Sequence, residues 1–143
     1  MDTPARQADP GSLLPWEVVV VSLKAFECGD LEGSLAYWAD DAVVRLIGAP
    51  PGERDTHHGK EEVCAWFRSL SAEHFEIKEE LIQAEGDTLT VKALSWSDRT
   101  RQLGVAPLEA TEVYVVQNGK IASLTWTITP QSEAKLRAAV SGS

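Results

Sequence analysis

The clearest alternation of apolar and polar positions lies in the last third of the chain. Two runs rich in β-branched residues flank Asn118-Gly119, a dipeptide typical of a two-residue hairpin turn, because both of its positions need positive φ. In the second run Leu124, Trp126 and Ile128 point to one side of the strand, and the polar residues between them point to the other. The pattern predicts a hairpin with one apolar face.

Upstream of the hairpin, apolar residues at helical spacing predict three helices and one short strand. The first helix begins at Pro15, which suits a first helical turn, and ends at Gly29. Asp30 can cap a short second helix. A strand over residues 42–47 and, after a loop, a third helix over residues 60–70 follow.

The middle and the end of the chain predict further strands and a terminal helix. Strands are expected over 75–84 and 88–97, with an irregular connection over 98–107 before the hairpin. Ser132 is expected to cap a C-terminal helix that runs to Val140. Helices followed by a run of strands indicate an α+β fold with an antiparallel sheet.

The length and the charge of the chain agree with one soluble domain. We expect a domain over residues 15–140 between a loose tail at 1–14 and a short tail at 141–143, since 143 residues suffice for one core. A net charge of −9 with scattered basic residues disfavours nucleic acid as a partner. No apolar run approaches the ~20 residues of a membrane span, so no membrane partner is expected.

The two cysteines, Cys28 and Cys64, bear on the compartment. Both lie in helix-like segments with apolar neighbours, and no signal peptide precedes them. A cytoplasmic location with buried, inert thiols is the default, although a disulfide remains an alternative. Two cysteines without paired histidines do not make a zinc site, so we expect no metal.

The order and spacing of four short motifs resemble the nuclear-transport-factor-2-like superfamily. These motifs are GDLEG at 29–33, YWADDAVV at 37–44, HGKEEV at 58–63 and NGKI at 118–121. The superfamily includes SnoaL-like polyketide cyclases, ketosteroid isomerase and limonene-epoxide hydrolase, and its fold hosts several unrelated functions.

The resemblance implies a cone-shaped, curved antiparallel sheet. Three N-terminal helices would enclose a cavity against its concave face, with a short C-terminal helix beside it. It also implies a homodimer, for which we expect the outer face of the sheet. The implied partner is an apolar small molecule that resembles a polyketide, a terpenoid or a steroid.

Functional positions of the family carry over only in small part. Leu46 falls where ketosteroid isomerase has its general base, and Ser22 falls where it has its oxyanion-hole tyrosine. Trp126 falls at one catalytic aspartate of limonene-epoxide hydrolase. The second acid of the isomerase falls on Glu112, or on Thr111 if the hairpin register differs by one residue.

Glu112 is therefore the main catalytic candidate, with Tyr114 or His58 as hydrogen-bond donor. A carboxyl group in an apolar pocket has a raised pKa and can donate or shuttle a proton. The alternative is an exposed strand glutamate, or one paired with Arg99 or Arg101. For the adjacent histidines, the alternative is an exposed loop pair.

Apolar and aromatic residues are expected to form the walls of the binding site. The expected binding residues are Phe26, Val44, Leu46, Trp66, Phe67, Leu124, Trp126 and Ile128. The alternative is that the Trp126 indole fills the cavity.

Two functions remain open from the sequence. One is an enzyme without a cofactor that isomerises, cyclises or opens an epoxide of an apolar substrate. The other is a non-catalytic module that binds a hydrophobic ligand or dimerises.

Overall fold

The structure is a computed structural model that describes residues 13–49 and 52–142. Within these residues there are five helices and six strands. The helices are α1 (Pro15–Glu27), α2 (Leu31–Leu35), α3 (Gly59–Ala72), α4 (Asp98–Leu103) and α5 (Pro130–Ser141). The strands are β1 (Trp38–Ile47), β2 (Thr56–His58), β3 (Glu76–Glu85), β4 (Thr88–Trp96), β5 (Leu108–Gln117) and β6 (Lys120–Ile128). Most of the predicted N-terminal tail lies outside the described residues.

The strands form one curved, open sheet in the order β2-β1-β6-β5-β4-β3. The sheet with its helices confirms the predicted α+β cone. The pairing is antiparallel throughout except between β1 and β6, which run parallel. This parallel pair was not expected, because the sequence pattern shows which segments are strands but not which distant strands become neighbours.

The predicted hairpin is confirmed, and its turn together with a one-residue register shift between Val115 and Val116 sets the pairing of the last two strands. Asn118 has φ 54° and Gly119 has φ 74°, as a primed turn requires. Glu112 pairs with Trp126, and Tyr114 pairs with Leu124. These four side chains therefore share the face of the sheet that the helices cover.

Two elements differ from those that the sequence pattern predicts. The first strand begins at Trp38 rather than at residue 42, and the buried Trp38 indole donates a hydrogen bond of 3.1 Å to Ser22 on α1. The segment expected as an irregular connection contains α4 instead. Its start is fixed by Ser97, whose hydroxyl accepts from the backbone N–H of Thr100.

The cap of the C-terminal helix also differs. Thr129 caps α5, because its hydroxyl accepts from the backbone N–H of Ser132. Ser132, the predicted cap, is buried and its hydroxyl accepts a hydrogen bond of 2.9 Å from the backbone N–H of Glu109. This contact ties the start of α5 to β5.

The helices pack over the sheet in two apolar clusters. The larger cluster joins α1, α2 and α3 to the covered face of β1, β4, β5 and β6. The smaller one joins Leu136 of α5 to Leu108 and Ile128 at the end of the sheet. The expectation of two buried thiols is wrong for Cys28, which is exposed; Cys64 is partly buried, and both cysteines are free.

Candidate functional site

A cavity of about 140 Å³ lies between the covered face of the sheet and the helices α1 and α3. Its walls are mostly apolar, and aromatic rings come from both layers. Phe26 of α1 packs edge-on against Phe67 of α3 at 5.4 Å, and Trp66 lies 5.7 Å from the same Phe67 ring. The cavity is comparable to an engineered hydrophobic cavity of about 150 Å³ that binds benzene, so it accommodates about one ring.

Two carboxyl side chains meet on the sheet side of this cavity. Glu112 lies on β5 and Glu79 on β3, with β4 between them. Glu79 pairs with Ala93 of β4 and Glu112 pairs with Val91, two residues away on the same strand, so the two carboxyl groups approach each other diagonally past the small Ala93 side chain. The two carboxyl groups form a hydrogen bond, and both residues line the cavity.

Tyr114 completes this group of side chains. It is two residues beyond Glu112 on β5 and therefore on the same face. Its hydroxyl donates a hydrogen bond of 2.6 Å to Oε2 of Glu79. Glu79 is thus the side chain that both buried residues, Tyr114 and Glu112, interact with, while it is itself only partly buried.

Burial and neighbouring charges shift the pKa values of the side chains in this group. Burial raises the pKa of Glu112 well above its ordinary value, and the hydrogen bond and negative charge of Glu79 raise it further. Burial also raises the pKa of Tyr114, with both carboxyl groups adding to the shift. Of the two carboxyl groups, Glu112 is therefore the one whose surroundings favour the protonated form.

One oxygen of this group has no hydrogen-bond partner. Oε1 of Glu112 is buried without a donor, in a residue that is 2% exposed and lines the cavity. An unpaired buried oxygen costs about 1–3 kcal/mol of folding free energy, which a ligand that supplies a donor would recover. This oxygen is an unsatisfied hydrogen-bond acceptor on the cavity wall.

The indole of Trp126 narrows the cavity but does not fill it. Trp126 pairs with Glu112 on β5 and with Leu46 on β1, so all three side chains lie in one row across the sheet. All three also line the cavity, which keeps a volume of about 140 Å³ beside the indole.

The structure brings most of the predicted site residues to one cavity. Its lining includes Glu112, Tyr114, Phe26, Leu46, Trp66, Phe67, Leu124 and Trp126. Val44 is fully buried in the larger apolar cluster, and Ile128 belongs to the smaller one; neither lines the cavity. Thr111, the alternative to Glu112, is exposed on the opposite face of β5.

His58 lies away from the cavity, whereas its neighbour His57 is buried. His58 is exposed, and its backbone N–H donates to Glu62 at the start of α3. His57 stacks on Trp66 with ring centroids 5.4 Å apart, and its Nε2 has no hydrogen-bond partner. Burial and the charge of Arg54 lower the pKa of His57, so its ring is neutral at pH 7.

Glu79 was missed in the sequence, although the strand pattern contains a signal for it. Ile77, Glu79 and Leu81 alternate with exposed residues and so share the covered face of β3. Two further glutamates, Glu53 and Glu73, line the polar edge of the cavity. Burial raises the pKa of Glu53, while Arg99 opposes this shift and Glu73 adds to it.

The sequence left open that Glu112 pairs with Arg101. Arg101 instead pairs with Glu76 and Asp98, at 2.6 and 3.3 Å.

Across residues 13–49 and 52–142, no three side chains of the types that bind metals cluster together. None of the helices over these residues is long and apolar enough to cross a membrane.

Most of the chain matches one known protein family. Residues 20–124 match the model of the SnoaL-like domain. No curated protein matches the chain.

Several solved structures share the fold at low sequence identity. An NTF2-like protein from Burkholderia xenovorans is 23% identical with a TM-score of 0.66, covering 85% of this chain and 94% of its own. A putative polyketide cyclase from Sinorhizobium meliloti is 21% identical with a TM-score of 0.64, covering 83% and 99%. A Mycobacterium tuberculosis protein in complex with estradiol-17β-hemisuccinate is 22% identical with a TM-score of 0.66, covering 84% and 98%.

Proposed function

The chain belongs to the SnoaL-like domain family, and we propose that it is a small enzyme that performs acid–base chemistry on an apolar molecule without a cofactor. The observation that carries the proposal is the carboxyl pair of Glu79 and Glu112 on the wall of an otherwise apolar cavity. Isomerisation, cyclisation and epoxide opening all need a proton given and a proton taken at nearby atoms.

The pair is suited to both transfers. Burial and the negative charge of Glu79 raise the pKa of Glu112, so Glu112 keeps its proton to a higher pH than an ordinary carboxyl group does. In its protonated form Glu112 can give a proton to a substrate oxygen, and the Glu79 carboxylate can accept one from the substrate. Positioned acid–base groups of this kind contribute about 10²–10⁴-fold to a reaction rate. Tyr114 is the positioning residue, since its hydroxyl fixes Glu79 at 2.6 Å.

The volume of the cavity limits the size of the substrate. About 140 Å³ favours a molecule with one ring, such as a small terpenoid or a monocyclic polyketide fragment. The estradiol derivative bound by the Mycobacterium tuberculosis protein supports an apolar ligand. A steroid would need the walls at Trp126 and Trp66 to move apart.

The test compares turnover with binding. The protein is incubated in D₂O with single-ring enones, epoxides and hydroxy-epoxides, and products and deuterium incorporation are followed by NMR. Glu112→Gln should lower turnover at least about 100-fold, while quenching of tryptophan fluorescence by the same compounds persists. Glu109→Gln, on the opposite face of β5, is the matched control. Undiminished turnover in Glu112→Gln would remove Glu112 from the mechanism.

The alternative is a binding module without a reaction. The tyrosine hydroxyl is already engaged by Glu79, so Tyr114 is not an additional donor for a substrate oxygen in this arrangement. Saturable binding with no turnover of any compound in the panel would support this alternative.

We also infer that two copies pair through the outer face of the sheet. Val113 of β5 lies opposite Thr125 of β6 there, and both side chains are only half-buried within one copy. Light scattering should then give twice the chain mass of 15.6 kDa. Val113→Glu should halve that mass, whereas Ile82→Glu on the edge strand should leave it unchanged.

A further inference from the structure

The charged side chains around the cavity all have the same sign. Four glutamates line it, namely Glu53, Glu73, Glu79 and Glu112. In the part of the chain that the structure describes, the lining contains no lysine, arginine or histidine. Arg99 is the nearest opposing charge that affects this edge, since it lowers the pKa of Glu53 and its backbone N–H donates to Glu73. Among the described residues, the only charged side chain that contributes to the pKa shift of Glu112 is another glutamate, Glu79.

The deeper polar groups also lack a donor. Oε1 of Glu112 has no partner in a residue that is 2% exposed. Two of the donors that line the cavity are engaged elsewhere, since the Tyr114 hydroxyl binds Glu79 and the Trp38 indole binds the Ser22 hydroxyl. A ligand that satisfies Oε1 of Glu112 must bring a hydrogen-bond donor.

The apolar walls favour a positive charge as well. Seven aromatic side chains line the cavity, namely Phe26, Trp38, Trp66, Phe67, Phe75, Tyr114 and Trp126. The faces of aromatic rings attract cations, most strongly those of tryptophan, when the cation lies within about 6 Å of the ring centre. Aromatic faces and a buried carboxyl pair together form the kind of site that binds an organic ammonium group.

We propose that the ligand of this cavity is a small organic cation, an otherwise apolar molecule with about one ring and a single protonated amine. Its ammonium group would donate to Oε1 of Glu112 and compensate the charge shared by Glu112 and Glu79. Its ring would pack against the aromatic walls, and the 140 Å³ volume sets its size. This proposal rests on the proposed function, because it names the substrate class of the same site. A carboxylate or phosphate ligand would instead bring a second negative charge beside the pair.

Three probes of matched shape and different charge test the proposal at neutral pH. They are cyclohexylamine, which is protonated, cyclohexanol, which is neutral, and cyclohexanecarboxylate, which is negative. Binding is measured with the full chain by quenching of tryptophan fluorescence and by NMR titration. The amine should bind about tenfold or more tightly than the alcohol, and the carboxylate should bind most weakly.

Two variants assign the preference to the carboxyl pair. Glu79→Gln removes the charge but keeps an acceptor for Tyr114, so the amine should lose about tenfold in affinity while cyclohexanol is unaffected. Glu80→Gln, the next residue on the exposed face of β3, should change neither. Circular dichroism at the temperature of the titration confirms that both variants are folded.

Each result has one consequence. Equal or tighter binding of cyclohexanol overturns the cation preference but leaves the proposed acid–base function standing. Tighter binding of the carboxylate, or an unchanged preference in Glu79→Gln, overturns the role given to the pair. Absence of binding by all three probes overturns both this inference and the proposed function.

Discussion

Replacing Glu112 by glutamine should change how the stability of the protein depends on pH. Glutamine has nearly the same shape, and its amide can donate to Glu79 in place of the carboxyl proton. The variant therefore keeps the packing of the cavity wall and removes one titrating group. Any difference from the natural chain then reports on the proton of Glu112.

The size of the effect follows from the burial of this carboxyl group. In the unfolded chain Glu112 loses its proton at the ordinary glutamate pKa of about 4.3. In the folded chain it keeps the proton to a higher pH, because burial raises its pKa. The stabilisation from Glu112 is complete below the unfolded pKa and is lost as pH rises toward the folded pKa. One retained proton corresponds to about 1.4 kcal/mol per pH unit. At 2% exposure no discount for solvent screening applies.

Urea unfolding followed by tryptophan fluorescence measures this difference. As the pH rises above the ordinary carboxyl pKa, the free energy of unfolding of the natural chain, minus that of Glu112→Gln, should fall, with a slope of at most about 1.4 kcal/mol per pH unit. Glu79 and Tyr114 face Glu112, so the slope belongs to the carboxyl pair, and Tyr114 does not titrate in this window. Glu109→Gln serves as the control. Parallel curves for the natural chain and Glu112→Gln would refute the buried proton.

Three further substitutions test other parts of the site. Trp126→Ala should admit two-ring ligands in a fluorescence titration and lower the free energy of unfolding by about 2–3 kcal/mol, less than for a fully buried aromatic; an unchanged ligand size range would contradict this. Tyr114→Phe should lower the free energy of unfolding in urea by about 2 kcal/mol, because the hydrogen bond to the Glu79 carboxyl group is lost; a change near zero would argue against that bond. His57 has a lowered folded pKa, so its contribution is complete above about pH 6.5 and is lost as pH falls. His57→Phe should therefore unfold with a weaker dependence on pH over that acidic range, and an unchanged dependence would mean that His57 titrates normally.

The sequence predicts Glu112 inside the cavity, but not its partner. Alternation in the hairpin places Glu112 on the side of Trp126, and the register confirms it. The same alternation places Glu79 on the covered face of β3. That Glu79 and Glu112 meet depends on the register of three strands and on the small Ala93 between them, which no local pattern contains.

The sequence also does not show which of the two adjacent histidines, His57 or His58, is buried. Their segment looks like a loop, so the sequence gives no face for either ring. In the structure it is the short strand β2, and its pairing of His57 with the buried Val44 turns His57 inward and His58 outward. The helix α4 was missed because it spans only six residues, too few for a repeating apolar stripe, and the Ser97 cap marks its start.

The wall of the cavity is built from two separate segments of the chain. The carboxyl pair and Tyr114 all lie on β3 and β5, within a continuous meander in which each strand pairs with the next along the chain. The aromatic side chains Phe26, Trp66 and Phe67, which cover the cavity, come from α1 and α3, and these helices precede the meander in the chain. Mutations in α1 and α3 can therefore reshape that part of the wall without altering the acid groups, whereas Trp126, which also limits the size of the ligand, belongs to the meander. A single recombination between the two segments would join one protein's reactive groups to the helical walls of another.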